Sequence, residues 1–446
     1  MQTIRAVENP DSSVQLRTAA VRPATLRKVF VRLVPLLIVL YITSFLDRVN
    51  VGFAALQMNA ELGFTATQFG FGSGIFFVGY CLSEVPSNLI LARVGARLWI
   101  ARIMITWGLL ASAMMFVHTA NQFYVIRFFL GVAEAGLFPG VIFYLGQWFP
   151  APNRARAIAA FMTGIPLSGI VGGPLSGALL ELNGHLGLAG WQWLFLLEGL
   201  PPVLLAVIVL RFLDDSPEQA RWLDVSERAE LVAVLHAEST SRSDPRSRSV
   251  RHTLVSPLVW LLGLIILLAN IGFYGYVIWS PQIVKALSGA SNLGTGLISG
   301  AMSLAMAVGM IANARHSDSA GERRLHVALP LFLMAVGFIG SVMSPSPIVS
   351  LCLLALVPVG MGAVYGPFYA MPGAFLSDTA AAAGIALIAS MANVGGIIGP
   401  ALIGRMKDLS GNYHGSFLLL AGFAIAAGSL TLTLYKAGIR EKPGSP

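Results

Sequence analysis

Long apolar runs alternate with short polar breaks along this chain, and the runs are of membrane-helix length. A bilayer core of about 30 Å takes roughly 20 apolar residues in a helix that rises 1.5 Å per residue. By that measure the pattern predicts twelve spans, at 30–56, 68–92, 98–118, 121–147, 153–182, 190–212, 257–284, 293–314, 325–344, 347–372, 378–404 and 414–436. Only one polar stretch is long. Asp214 to His252 is rich in Arg, Ser, Asp and Glu and divides the spans six and six. Its middle, Asp224 to Glu238, reads as a surface helix and the rest as a solvated linker. The expected fold is all-α and integral to the membrane, with twelve transmembrane helices in two six-helix halves. The expected organisation is a cytoplasmic tail over 1–29, a first half over 30–212, a cytoplasmic linker over 213–256, a second half over 257–436 and a cytoplasmic tail over 437–446.

Composition strengthens this picture. Of the 446 residues, 56% are hydrophobic and only 11% charged, against about 25% charged in soluble domains. The mean hydropathy is +0.74. A soluble fold lacks the polar surface to cover so much apolar area. Cys81 and Cys352 lie far apart in apolar stretches, so no disulfide framework is expected. No Cys/His spacing suits a metal, and no cofactor is expected. The first apolar run is too long for the core of a cleavable signal.

The net charge of +8 is not that of a nucleic-acid binder, because its distribution follows the membrane. With both termini cytoplasmic, 24 of the 29 Lys and Arg residues fall on the cytoplasmic side. They include Arg5, Arg17 and Arg22 in the tail, Arg93 and Arg97, Arg242 to Arg251 in the linker, Arg315, Arg323 and Arg324, and Lys436, Arg440 and Lys442 at the end. Lys285, Arg405 and Lys407 fall outside. This is a positive-inside bias. An internal repeat supports the division into halves. Asn88-Leu-Ile-Leu-Ala-Arg-Val-Gly-Ala-Arg97 follows the second span, and Ala314-Arg-His-Ser-Asp-Ser-Ala-Gly-Glu-Arg323 follows the eighth. Gly95 aligns with Gly321 and Arg97 with Arg323. Parallel halves with a site between them near the midplane are a transporter plan.

Arg48 and Arg127 remain, and both lie inside apolar spans. Asp47, Glu84, Glu134 and Glu198 are also intramembrane. Each such group costs at least about 2.5–3.5 kcal/mol to insert, faces the bundle interior and seeks a partner. Arg127 and Glu134 share a helix face but stand about 10 Å apart along the axis, too far to pair. Asp47 and Arg48 point about 100° apart, so each looks to another helix. Asp47–Arg127 and Arg48–Glu134 pairs are both compatible with the sequence. A buried ion-pair network can simply lock helices together, yet such pairs contribute little net stability. The alternative is a working cavity. Carboxylates in a low dielectric can carry protons, and guanidinium forks suit carboxylates. Such a site suits an organic anion and a proton, with the proton gradient as driving force. The second half carries almost no intramembrane charge beyond Asp378 at a span boundary. It offers Asn270, Tyr274, Tyr276, Trp279, Tyr365, Tyr369 and Asn393 instead. Tyr41, Ser44 and Tyr80 add polar groups to the first half, and Tyr41, Ser44 and Arg48 share a face. Gly-rich and Pro-rich stretches in spans five and eleven fit close helix packing or a bending point.

The twelve spans, the central linker and the repeated loop resemble the major facilitator superfamily. Leu46-Asp-Arg-Val-Asn-Val-Gly-Phe-Ala54, Glu84-Val-Pro-Ser-Asn88, Arg127-Phe-Phe-Leu-Gly-Val-Ala-Glu-Ala-Gly-Leu-Phe-Pro-Gly140 and Gly190-Trp-Gln-Trp-Leu-Phe-Leu-Leu-Glu-Gly199 narrow the resemblance to its anion:cation symporter branch, most like bacterial tartrate-type or aromatic-acid permeases. That resemblance implies uptake of an organic carboxylate with protons across a bacterial inner membrane by alternating access, in a monomer. Asp47 and Glu134 would couple protons. Arg48, Arg127, Tyr80 and Asn393 would meet the substrate, with Tyr41, Ser44, Asn270, Tyr274 and Tyr369 around them. Glu84, Gly95, Arg97, Asp318 and Arg323 would serve gating or structure. Ala92 stands where the family's loop usually has an acid, and Asp318 fills that place in the second half, so the gating contact is expected to be weaker in the first. A proton-coupled exporter of drugs or metabolites is the nearest alternative, but two intramembrane arginines disfavour the usual cationic cargo. A membrane enzyme would need a nucleophile with a base or a metal cluster, and a sensor an appended domain.

Overall fold

A computed structural model describes residues 21–241, 255–372 and 378–434. Arg5, Arg17, Arg242, Arg246, Arg248, Arg251, Lys436, Arg440 and Lys442 lie outside the described residues, as does the side chain of Asp378. Among the described residues, twelve helical spans are long and apolar enough to cross a bilayer. Spans 1 to 6 are Pro23–Glu61, Ala66–Val94, Ala96–Phe116, Ala120–Trp148, Asn153–Leu180 and Gly190–Phe212. Spans 7 to 12 are Pro257–Ser288, Asn292–Ala320, Leu325–Met343, Pro347–Ala370, Gly384–Ser410 and His414–Thr433. The expected surface helix is present at Val225–Ser241.

The linker helix marks one side of the bundle. Arg22 Nε meets Glu230 Oε2 at 2.8 Å and Lys28 Nζ meets Glu227 Oε2 at 2.9 Å, at the start of span 1. Ala151 N, before span 5, donates to Glu238 Oε1 at 2.9 Å. The hydrogen bond from Lys28 holds the half-buried Glu227 carboxyl below its ordinary range. The linker therefore lies along the first half at this side, and the opposite side is called the far side below.

The repeated loops are built alike. Gly95 and Gly321 each end a helix in a positive-φ conformation, at 99° and 65°. Side chains with a Cβ rarely adopt that region, which is why glycine recurs at both. Arg323 Nη1 pairs with Asp318 Oδ1 at 2.6 Å in the second half. In the first, where Ala92 has no acid to offer, Asp215 from beyond span 6 meets the backbone of Arg97 instead of its guanidinium. Its Oδ1 accepts from Arg97 N at 2.8 Å, while Arg97 Nε donates to Leu210 O.

The halves meet mainly along spans 2 and 11 and spans 5 and 8. Glycine lets the backbones touch. A Cβ on Gly173 would stand 2.6 Å from Gly296 O, and one on Gly404 would stand 2.2 Å from Ala66 O. Among the described residues, three hydrogen bonds between the halves lie at the far side. Ala66 N and Thr67 N donate to the Asp408 carboxylate at 3.0 and 2.7 Å, and Leu293 N donates to Glu181 Oε1 at 3.2 Å.

Span 4 departs from the uninterrupted run expected at 121–147. Its helix stops at Glu134 and restarts at Leu137. Ala135 is extended (φ −55°, ψ 133°) and Gly136 is left-handed (φ 93°). The interruption falls at bilayer depth, where a free carbonyl is costly. Ser87 relieves it: Ser87 Oγ donates to Ala135 O at 2.6 Å and accepts from Trp99 Nε1 at 2.9 Å. Apolar runs conceal such breaks, because the flanking residues stay hydrophobic on both sides.

Candidate functional site

Span 1 carries the centre of the site. Ser44, Asp47 and Arg48 are buried among spans 2, 3 and 4. Arg48 Nε and Nη2 both meet Glu134 Oε1, at 2.9 and 2.7 Å. Ser44 Oγ donates to the same oxygen at 2.7 Å. Of the two pairings left open by the sequence, Arg48–Glu134 is the one formed. Glu134 is 0% exposed, three donors converge on one of its oxygens, and Oε2 has no partner.

Asp47 does not pair with an arginine. Asn50 Nδ2, one turn along, reaches Asp47 Oδ1 at 3.3 Å, and Trp107 Nε1 of span 3 donates to Oδ2 at 3.1 Å. Arg127 is 1% exposed and stacks over Phe76, with Cζ 4.9 Å from the ring centroid. None of its three guanidinium nitrogens has a hydrogen-bond acceptor. Its electrostatic neighbours are Asp47, Glu134 and Arg48. A buried guanidinium with five donors and no acceptor is uncommon.

Aromatic rings wall the charges. Arg48 Cζ lies 4.9 Å from the Tyr80 ring centroid and 5.7 Å from that of Phe76. Tyr274 of span 7 faces Arg48 from the second half, and its ring packs on Phe77 at 4.6 Å. Tyr365 Oη donates to Asn270 Oδ1 at 3.4 Å and stacks on Tyr369. Nearer the linker side, Asn393 of the second half and Tyr369 lie in the electrostatic surroundings of Glu84. Tyr41 is placed differently from the others. Its ring stacks on Phe161 at 4.5 Å and packs on Phe138 and Phe45.

The expected residues therefore fall into three places. Asp47, Arg48, Ser44, Glu134, Arg127, Tyr80 and Tyr274 form one charged, aromatic-walled centre. Asn270, Tyr369, Asn393 and Glu84 flank it toward spans 2, 7, 10 and 11. Gly95, Arg97, Asp318 and Arg323 belong to the linker-side loops. A separate small cavity of about 60 Å³ lies between spans 1, 5, 7 and 8. Phe45, Phe53, Phe273 and Met302 line it, and it holds none of the charges. The charged centre is the better candidate, because chemistry that distinguishes solutes is concentrated there. Asn50, Phe76, Trp107 and Ser87 were missed in the sequence. Asn50 was findable, since it lies three residues from Asp47 on one helix face; the other three carry no charge or spacing that marks them.

The model of the Major Facilitator Superfamily matches residues 37–400 and 289–446. The chain belongs to the major facilitator superfamily. A protein of Agrobacterium vitis described as a "putative tartrate transporter" is 48% identical over 409 residues, which cover 92% of this chain and 94% of that protein. A Pseudomonas putida protein described as "Putative metabolite transport protein NicT" is 42% identical over 412 residues, covering 91% and 93%. Among solved structures, an inward-facing, occupied bacterial homologue of the human lysosomal transporter Spinster superposes with a TM-score of 0.75 at 17% identity. The match covers 92% of this chain and 98% of that one, and it concerns the fold. This superfamily chain is a multi-pass membrane transporter, not an enzyme.

Proposed function

We propose that this transporter takes up an organic carboxylate together with protons by alternating access. The observation that carries the reading is Arg127, fully buried beside two carboxylates with every guanidinium nitrogen lacking an acceptor. A substrate carboxylate supplies the acceptor. Glu134 supplies the switch. With Glu134 charged, Arg48 is held on Oε1. A proton on the partnerless Oε2 removes the charge that holds it, and Arg48 becomes free to share the substrate with Arg127. Tyr274, Asn270, Tyr369 and Asn393 then shape the side of the cavity that carries no charge. The two A. vitis and P. putida relatives, named for tartrate and metabolite transport, fit a small carboxylate cargo.

The same reading gives the orientation. The linker side is cytoplasmic, in keeping with its excess of Lys and Arg, and the membrane is a bacterial inner membrane. Hydrogen bonds join the halves at the far side, which on this reading is the outer side of the membrane. The protein works as a monomer, since the site is assembled from one chain.

Uptake into proteoliposomes under an imposed pH gradient tests the class of cargo. Tartrate, sugar acids and aromatic acids form one arm, and organic cations the other. Saturable carboxylate uptake is expected, and preference for cations overturns the reading. Arg127→Lys should raise the apparent KM on the order of ten- to a hundredfold, because a point charge cannot replace a bidentate fork worth about 1.5–3 kcal/mol. An unchanged KM would make Arg127 a structural residue.

A further inference from the structure

Glu198 is a buried carboxyl that the centre described above leaves unused. It is 3% exposed and lies eight residues into span 6, about 12 Å from its far end. Ser176 Oγ of span 5 donates to Glu198 Oε1 at 2.8 Å. Glu198 Oε2 has no partner. Asn50, whose Nδ2 donates to Asp47 Oδ1 at 3.3 Å, also lies in the electrostatic surroundings of Glu198, and Asn50 Oδ1 lacks a partner. One amide thus stands between two carboxyls, Asp47 at the centre and Glu198 on the way to the far side. The amide has one vacant acceptor and the outer carboxyl one vacant oxygen.

We propose that Glu198 is a further proton-binding carboxyl of the transport cycle and that Asn50 conveys its protonation state to Asp47. The inference rests on the proton-coupled reading above. The step is simple: a proton from the far side forms an O–H bond at Glu198 Oε2, and the side chain passes from one negative charge to none. The new hydroxyl supplies the donor that Asn50 Oδ1 lacks. With its Oδ1 held in this way, the Asn50 amide is fixed in the orientation that keeps Nδ2 on Asp47 Oδ1. Glu198 meets no cation that would keep it charged. Asp47 is the charged group facing it from span 1, with Glu134 and Arg127 behind Asp47. Span 5 presents Ser176, and span 3 presents Gly108 and Ser112 against the neighbouring Gly199. Glu198 touches no substrate position, so its role is to bind a proton and, through Asn50, to position Asp47.

The test uses full-length protein in proteoliposomes and the carboxylate that the panel identifies. Wild type and Glu198→Gln are compared for the pH gradient that balances a fixed substrate gradient, and for the pH profile of uptake. The glutamine variant should exchange substrate as wild type does but couple one proton fewer. Its accumulation at one unit of pH gradient should then fall about tenfold, and one limb of the pH profile should flatten. Glu198→Asp should restore the coupling in part. An unchanged balance point and pH profile in Glu198→Gln overturn the proposal. If Glu198→Gln does not fold, Ser176→Ala removes a hydrogen bond and keeps the carboxyl, and must move the midpoint of the pH profile; an unmoved midpoint is equally fatal. A wild type that shows no pH-driven accumulation would instead sink the proton-coupled reading itself, so the two failures are distinguishable.

Discussion

Glu134→Gln is expected to abolish pH-driven accumulation while leaving substrate counterflow intact. Glutamine resembles the protonated carboxyl in size and charge. Its Oε1 can still accept from Ser44 and Arg48, which hold that oxygen in the wild type, so the local packing should survive. What disappears is a charge that can come and go. One pH unit is worth 1.36 kcal/mol, or tenfold, per coupled proton. Under a one-unit gradient, wild type should therefore concentrate its substrate about tenfold or more, and the variant should only equalise it. Radiolabelled uptake with and without the gradient, beside counterflow in the same vesicles, measures both quantities. Full accumulation by the variant would remove Glu134 from the coupling role. Loss of counterflow as well would show that Arg48 needs the formal charge to stay in place, a cost expected when a buried pair loses one partner.

The second large effect lies in packing. Spans 2 and 4 cross backbone to backbone at Gly79 and Gly131. A Cβ on Gly131 would stand 1.9 Å from Phe76 O, and one on Gly79 would stand 2.2 Å from Phe128 O. Backbone atoms cannot step aside as a flexible side chain can. Gly131→Val should therefore force the two spans apart, at a cost of about 1–3 kcal/mol or more, and little folded protein should survive extraction. Gly131→Ala should be milder but should still lower the Tm and impair transport, because Phe76 and Tyr80 carry the rings beneath Arg127 and Arg48. Gly422→Ala is the control: a Cβ there meets nothing within 4 Å, and its Tm should match wild type. A wild-type Tm for Gly131→Val would mean that this crossing is looser than described.

How much of this was readable in advance differs by feature. All twelve spans were, because each apolar run is long enough on its own to satisfy the bilayer. The paired glycines at Gly95 and Gly321 were also readable, since a left-handed helix end selects for that residue. The charged centre was readable as a set, because each of Asp47, Arg48, Arg127 and Glu134 is anomalous at its depth. Its wiring was not. Arg48–Glu134 and Asp47–Arg127 pairs were equally open, and the choice depends on rotation of span 4 against span 1, which periodicity leaves free. Asp47 is satisfied instead by Trp107, an apolar-looking residue whose single N–H does not register in a hydropathy pattern. The loop contact made by Asp215 was hidden for another reason. It comes from more than a hundred residues away in the chain, so no local spacing predicts it.

The break after Glu134 bears on how the site turns a chemical event into movement. A continuous helix is a stiff rod, and a push on its middle is spread along its length. Span 4 is two rods with a two-residue swivel at Ala135 and Gly136. Ser87 holds the swivel from span 2 through a single hydrogen bond to Ala135 O. Glu134 is the last residue before it. On the proton-coupled reading proposed above, the carboxyl that takes the proton sits at the joint rather than on the shaft, where a small change in what it grips would swing the Leu137–Trp148 rod while the rod that carries Arg127 stays in register. The short arm ends beside Arg154, close to where the linker helix is tied to span 5, which puts the lever's free end at the linker side of the bundle.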